Sequence, residues 1–411
     1  MVPVTVFLVV LLLVALLSRR LVDGPLTPPT IMALVGLALA ATGSIDVQVD
    51  TAGFRLGTEV TLSLVLFADA TRIPLRALRS VERLPARLLG IGLPLSIALL
   101  TATAMLVLDL QLGPALLVGG ALAATDAALA RVIVTSEALP TRIRETVNVE
   151  SGLNDGLATP VVTFAIALTA EEATGSASAV NEALVALGVA VVVGVVVGLL
   201  GGWALRWAAG HHRVDTVFAQ LFGLALVGLV IVVCTSLGAI TFVAAFLAGS
   251  AFGQAYGDDT AHVMEFSEDL ARLFTLAAFF AFGLALLPDA LAAVTLAEVI
   301  VVVVALTVAR MLPVGIALAG SGLRPASTAL VGWFGPRGLA TVLFALIALE
   351  DLDGELPERA VNVMVLTVLA SLVLHGASAR PLTRRYARWL RDAGPGAETP
   401  EDEVTMSRTR W

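Results

Sequence analysis

The chain is divided almost end to end into apolar runs, each long enough to cross a lipid bilayer as a helix. A hydrocarbon core about 30 Å thick asks for about 20 such residues. Thirteen runs qualify, at 2–18, 26–43, 54–70, 86–109, 113–135, 146–170, 179–208, 215–234, 236–256, 264–287, 290–319, 326–349 and 358–379. Lipid gives the backbone no hydrogen-bond partners, so such a chain must fold as a helical bundle. The expected fold class is therefore an all-α polytopic membrane protein with about 13 transmembrane helices. Composition agrees: 58% of the 411 residues are hydrophobic and 14% charged, against roughly 25% charged in globular chains, which argues against a soluble enzyme. All 25 basic residues are arginine, set against 33 acids, so no basic surface for nucleic acid is expected. A single cysteine, Cys234, excludes an internal disulfide, and no His/Cys group has zinc spacing. No cofactor is expected.

Arginine also orients the chain, because cytoplasmic loops keep positive charge. Arg19 and Arg20, the run from Arg72 to Arg87, Arg142 and Arg144, Arg213, Arg324 and the stretch from Arg380 to Arg391 all fall on one side. Ser44 to Asp50, Glu171 to Ser178 and Glu350 to Glu358 fall on the other and are acidic or neutral. This predicts a multi-pass protein of the plasma membrane with its amino terminus outside and its carboxyl terminus cytoplasmic. The first run lacks a basic leader and a small-residue cleavage site, so it reads as a retained helix rather than a secretory signal. The acids of 253–272 read as a solvated linker or as a funnel concentrating cations at the cytoplasmic mouth. Residues 1–390 form one transmembrane domain, and 391–411, polar and rich in Gly, Pro and acids, read as a disordered cytoplasmic tail.

Crossings one to six and eight to thirteen can be paired at an offset of seven, an odd number that inverts topology, and inverted repeats mark transporters. Ionisable groups inside membrane helices are costly and mark function by default. The fifth run carries Gly119-Gly120 followed by Thr125-Asp126. The sixth carries Glu150-Ser151-Gly152-Leu153-Asn154-Asp155-Gly156, and the twelfth Gly335-Pro336-Arg337-Gly338. Helical spacing stacks Glu150 under Asn154 and Ser151 under Asp155, making a ribbon of oxygen ligands on one face. Glycines in run five and Pro336 in run twelve predict two interrupted helices at repeat-related positions, the best sequence pointer to a midplane site. An all-oxygen donor set suits a hard cation or a proton. Glu150 is the preferred partner for Arg337. Arg310, before Pro313, reads either as a second internal cation or as a snorkelling end residue. Asp69 ends run three at a possible entrance, and His211, His212, His262 and His375 read as interfacial histidines.

These residues resemble the monovalent cation/proton antiporters of the NhaP and sodium/proton exchanger type. The resemblance rests on Thr125-Asp126, on 150–156, on 335–338, and on Gly238 to Gly249 with Phe242 and Phe246. It implies crossed discontinuous helices, a homodimer and a mobile core domain, expected here to comprise 86–170 and 264–349, with the remaining crossings forming the dimerisation domain. It further implies that Asp155 binds the cation or the proton, that Ser151, Thr125, Asp126 and Asn154 complete the site, and that Glu150 and Arg337 form an internal ion pair. Ala127 stands where many relatives have proline, and Asp69 lies one position from their usual glutamate. The expected activity is exchange of a monovalent cation, sodium first, for protons by alternating access. Asn154, where electrogenic relatives carry a second aspartate, points to one proton per cation. The cargo ions are substrates rather than cofactors. An ion channel, a symporter of related fold and an intramembrane aspartyl enzyme are the rival readings.

Overall fold

The computed structural model describes residues 2–22, 26–43, 51–71, 84–126, 129, 131–175, 178–257, 260–352 and 354–393. Among them there is no strand, and each of the thirteen apolar runs is helical. The helices are α1 (Val2–Val22), α2 (Pro28–Ala40), α3 (Thr51–Thr71), α4 (Leu84–Leu108), α5 (Leu112–Ala123), α6 (Arg131–Val134), α7 (Thr141–Thr174) and α8 (Ala179–Gly210). They continue as α9 (Thr216–Leu237), α10 (Thr241–Tyr256), α11 (Thr260–Ala292), α12 (Leu296–Ala317), α13 (Pro325–Trp333), α14 (Leu339–Asp351) and α15 (Glu355–Ala393). Ser44 to Asp50, the arginines of 72–83, Ala127, Asp258 and Asp259, and the tail from 394 onward lie outside the described residues.

Local chemistry accounts for the irregularities. Pro94 and Pro288 have no N–H to donate, and in each helix the turn just before the proline slips to a five-residue bond, Leu93 N–H to Leu88 O and Leu287 N–H to Phe282 O. The fifth crossing is split into α5 and α6 and the twelfth into α13 and α14, so both predicted interruptions are present. The thirteenth helix continues well beyond residue 379, to Ala393. Its apolar run stops there, but its helical backbone does not.

Packing sorts the crossings into two groups. The helix α5 lies against α4, α7 and α15, and α12 lies against α4 and α15. On the other side α8 packs on α10, α10 on α3, and α11 on α2, α3 and α9. The seam between α8 and α10 is built from Gly194, Gly198 and Gly202, whose absent side chains let the helix rest on the backbone of Ala244, Ala248 and Phe252. This grouping differs from the expected division at two crossings. The tenth, expected in the core, packs with the second, third and eighth, and the thirteenth packs with the broken helices. Its partners follow from Ser371, Ser378 and Tyr386, which bond residues of the twelfth crossing.

Candidate functional site

The two helix breaks meet. A broken helix leaves backbone groups without intrahelical partners, and in a dry interior each must find one. The Asp126 N–H donates to the carbonyl of Pro336 at 2.8 Å, joining one break directly to the other. The Thr341 hydroxyl donates to the Ala121 carbonyl at 2.8 Å, and the Thr125 N–H donates to Asn154 Oδ1 at 3.3 Å. Asp126 takes up the other end of the arrangement. Its Oδ2 accepts from the Leu339 N–H at 3.0 Å, at the amino-terminal end of α14, and its Oδ1 accepts from Leu129 N–H at 3.3 Å. The carboxylate thus sits where the helix dipole favours negative charge. Gly338 permits this approach, since a Cβ there would run into the Asp126 carboxylate.

The ribbon on α7 runs alongside the first break. Glu150, Ser151 and Asn154 are buried, as is Thr125 across from them. The Thr125 hydroxyl lies 3.1 Å from Ser151 Oγ and accepts from Asn154 Nδ2 at 2.5 Å, while the same amide reaches Glu150 Oε1 at 3.3 Å. Asn154 is therefore the hub tying break, ribbon and ion pair together.

The expected pairing of Glu150 with Arg337 is corrected. Glu150 is held by Arg310, whose Nη1 and Nη2 donate to Oε1 and Oε2 at 2.7 and 2.9 Å in a two-pronged bridge. Arg337, fully buried, instead donates to backbone carbonyls, Gly335 O at 2.7 Å and Ala305 O at 3.4 Å. The kink of α12 at Thr307 turns Arg310 inward, and the break at 335–338 folds the Arg337 fork back on its own segment. The histidine reading is also corrected at one position: His375 is 3% exposed and lies against the break, because α15 runs on for 18 residues past it.

A cavity of about 320 Å³ reaches this site from one end of the bundle. Asp155, Asp126, Ser151, Asp69 and Asn148 line it, with Glu268 and Arg272 farther along its wall. Among the described residues, Asp155 Oδ1 is buried with no hydrogen-bond partner. That is unusual, because a buried polar atom without a partner costs free energy. A second cavity, of about 310 Å³, approaches from the opposite end and is lined by Glu59, Val162, Thr163, Phe242, Phe344 and Glu350, among others. The two share no described lining residue. Asp155 and Val162 are seven residues apart on α7, about 10 Å at 1.5 Å per residue. Phe246 packs on Gly156 within that interval, at the place a side chain would otherwise occupy. Sequence reasoning missed Asn148 as a cavity residue, whereas Glu268 is one of the acids of 253–272 read either as a solvated linker or as a funnel. The same reasoning left Arg310 undecided, although its position inside an apolar run was the available signal.

Residues 7–385 match the family model described as sodium/hydrogen exchanger, transmembrane. The K(+)/H(+) antiporter NhaP of Alkalimonas amylolytica is 24% identical over 423 residues, spanning 98% of this chain and 70% of that protein. The structure of the sodium proton antiporter MjNhaP1 from Methanocaldococcus jannaschii at pH 8 superposes with a TM-score of 0.78 at 19% identity, over 94% of this chain and 99% of that one. An electron-microscopy structure of the same antiporter gives 0.72 at 18% identity, over 93% and 97%.

Proposed function

The chain belongs to the sodium/hydrogen exchanger family, and from that premise we propose that it exchanges a monovalent cation, sodium first, for protons across the plasma membrane. The observation that carries the reading is Asp155: a carboxylate oxygen buried without a partner, on the wall of a cavity it shares with Asp126, Ser151 and Asp69. A proton or a desolvated alkali cation supplies the missing partner, and the two cannot occupy one carboxylate together. Competition for Asp155 couples the fluxes. Ser151 and Asp126 stand beside it on the cavity wall as further oxygen ligands. Thr125 and Asn154 hold the ribbon in place through hydroxyl and amide.

Two cavities that share no described lining residue suit alternating access, with Asp155 exposed to one side at a time. Movement of the group containing α4, α5, α7, α12, α13, α14 and α15 against the glycine-seamed group of α3, α8 and α10 would transfer it. The arginine distribution supports a reading in which the Asp155 cavity faces the cytoplasm and the amino terminus lies outside. A homodimer, as the resemblance implies, would be formed by the second group. Within the crossed breaks Asp126, Glu150 and Asp155 face Arg310 and Arg337, leaving one net negative charge. A single proton or a single cation neutralises it, which makes the exchange one for one and electroneutral.

Potassium is the second reading, because the relative from Alkalimonas amylolytica is named as a K(+)/H(+) antiporter. Purified protein in vesicles with an imposed pH gradient, challenged in turn with sodium, potassium and lithium salts, separates the two. Dissipation of the gradient by at least one salt, saturable and lost in Asp155→Asn, is the expected result. Gradient dissipation retained by that variant would remove Asp155 from the mechanism, and flux that never saturates would favour a channel.

A further inference from the structure

We propose that Ser371 and His375 of α15 are positioning residues for cation binding: they staple the break between α13 and α14 and thereby fix the Asp126 carboxylate. The inference rests on the exchanger reading above for its ligand, and on geometry for its residues. Interrupting the twelfth crossing takes two backbone groups out of the helical ladder: the part-buried carbonyl of Trp333 at the end of α13, which accepts from the Gly335 N–H at 3.0 Å, and the buried Arg337 N–H inside the break. The Arg337 N–H donates to Ser371 Oγ at 2.7 Å. His375 Nε2 lies 3.0 Å from the carbonyl of Trp333, the last residue of α13. A carbonyl can only accept, so Nε2 carries the proton. His375 Nδ1 lies 3.1 Å from both Ser371 Oγ and the Ser371 carbonyl; with the single proton of the neutral ring on Nε2, Nδ1 accepts the Ser371 hydroxyl proton. The bonds then run in one direction, from Arg337 N–H through Ser371 and His375 to Trp333 O, with each donor used once. The indole of Trp333 adds a third tie, its Nε1 donating to Ser378 Oγ at 3.0 Å.

The segment held in this way carries two of the contacts that place Asp126: the Pro336 carbonyl, which accepts the Asp126 N–H, and Leu339, whose N–H reaches Asp126 Oδ2. Loosening the staple lets Trp333 to Gly338 shift, and Asp126 shifts with them relative to Asp155 and Ser151. Neither Ser371 nor His375 lines the Asp155 cavity. Their effect on the ion is therefore through Asp126, as positioning rather than ligation.

The test compares wild type with Ser371→Ala, His375→Leu and His375→Gln in vesicles under an imposed pH gradient, titrating sodium and potassium chloride separately. The glutamine amide keeps an N–H for the Trp333 carbonyl. Ser371→Ala and His375→Leu are expected to raise the apparent KM for the transported ion by about tenfold, the scale of one lost hydrogen bond, with maximal rate nearly unchanged. His375→Gln is expected to return most of the affinity. A second readout, the cation-dependent rise in melting temperature in detergent, should rank the four proteins in the same order without any transport step. An unaltered KM in His375→Leu would overturn the proposal. So would a glutamine variant as impaired as leucine, or a lowered melting temperature whose dependence on cation is that of wild type. A wild-type protein that exchanges neither ion would retire the exchanger reading, and the melting comparison would then decide this one.

Discussion

At the scale of single residues, the chemistry is set by which buried charge faces which. Glu150 is bridged by both prongs of Arg310, and Arg337 bonds only carbonyls through its guanidinium. Removing Arg310 therefore leaves an uncompensated carboxylate in a dry interior, whereas removing Arg337 does not. Arg310→Ala is expected to cost about 3–5 kcal/mol of stability, and replacing both partners with leucine should recover most of it, because desolvating the pair consumes much of what the pair returns. Melting temperatures in detergent for Arg310→Ala, Glu150→Leu and the double variant decide this. A double variant as unstable as Arg310→Ala would contradict it. The ribbon from Glu150 to Asp155 was legible in the sequence because it lies on one helix, where spacing alone fixes neighbours. The arginine partner was not. Arg310 and Arg337 both lie inside apolar runs near prolines, and choosing between them needs the kink at Thr307 and the fold-back of 335–338, which no spacing rule encodes.

At the scale of elements, the breaks were legible and the helix ends were not. Gly335-Pro336 forecasts an interruption because proline cannot continue the ladder and restricts the residue before it. The end of α15 was hidden because counting apolar residues finds where lipid stops, and this helix continues as an arginine-rich extension. Tyr386 Oη at 2.9 Å from Ser327 Oγ and Arg324 over the Trp389 ring hold that extension to the start of α13. His375 was misread for the same reason, lying close to the end of the apolar run but in the middle of the helix. Contact between elements also predicts which glycines matter. Gly338→Ala places a methyl against the Asp126 carboxylate, while a Cβ on Gly315 of α12 meets nothing within 4 Å. Gly338→Ala is thus expected to lower exchange by about tenfold or more, on the scale of a displaced binding group, and Gly315→Ala to be silent. Initial rates of gradient dissipation in vesicles, normalised to protein inserted, measure both. Equal rates for the two variants would mean that the close approach of Gly338 to Asp126 does not constrain the site.

For the whole molecule, counting apolar crossings forecast the helical bundle, since lipid thickness fixes helix length. Which crossings pack together was beyond that count. It depends on seams such as Gly194, Gly198 and Gly202 against α10, and on side-chain ties from α15 to the twelfth crossing. Those ties put Arg337, Asp126 and Asp155 in one packed unit with Arg310 and Glu150, so under the proposed alternating access the unit's charge is what would cross the membrane field. Three carboxylates against two guanidiniums leave one negative charge, which either a proton or a monovalent cation cancels. Under the proposed one-for-one exchange both loaded forms would be neutral, and the membrane potential would have no net charge to act on in either half of the cycle. If a net elementary charge moved instead, about 2.3 kcal/mol per 100 mV would enter the barrier or the driving force, up to about fiftyfold in rate. Vesicles clamped at zero and at inside-negative potential with potassium and valinomycin, assayed with sodium and a fixed pH gradient, should show rates that differ by far less than this. A steep voltage dependence would require a second titrating carboxylate in the cycle, and Asp69, on the same cavity wall, would be the first to test by Asp69→Asn.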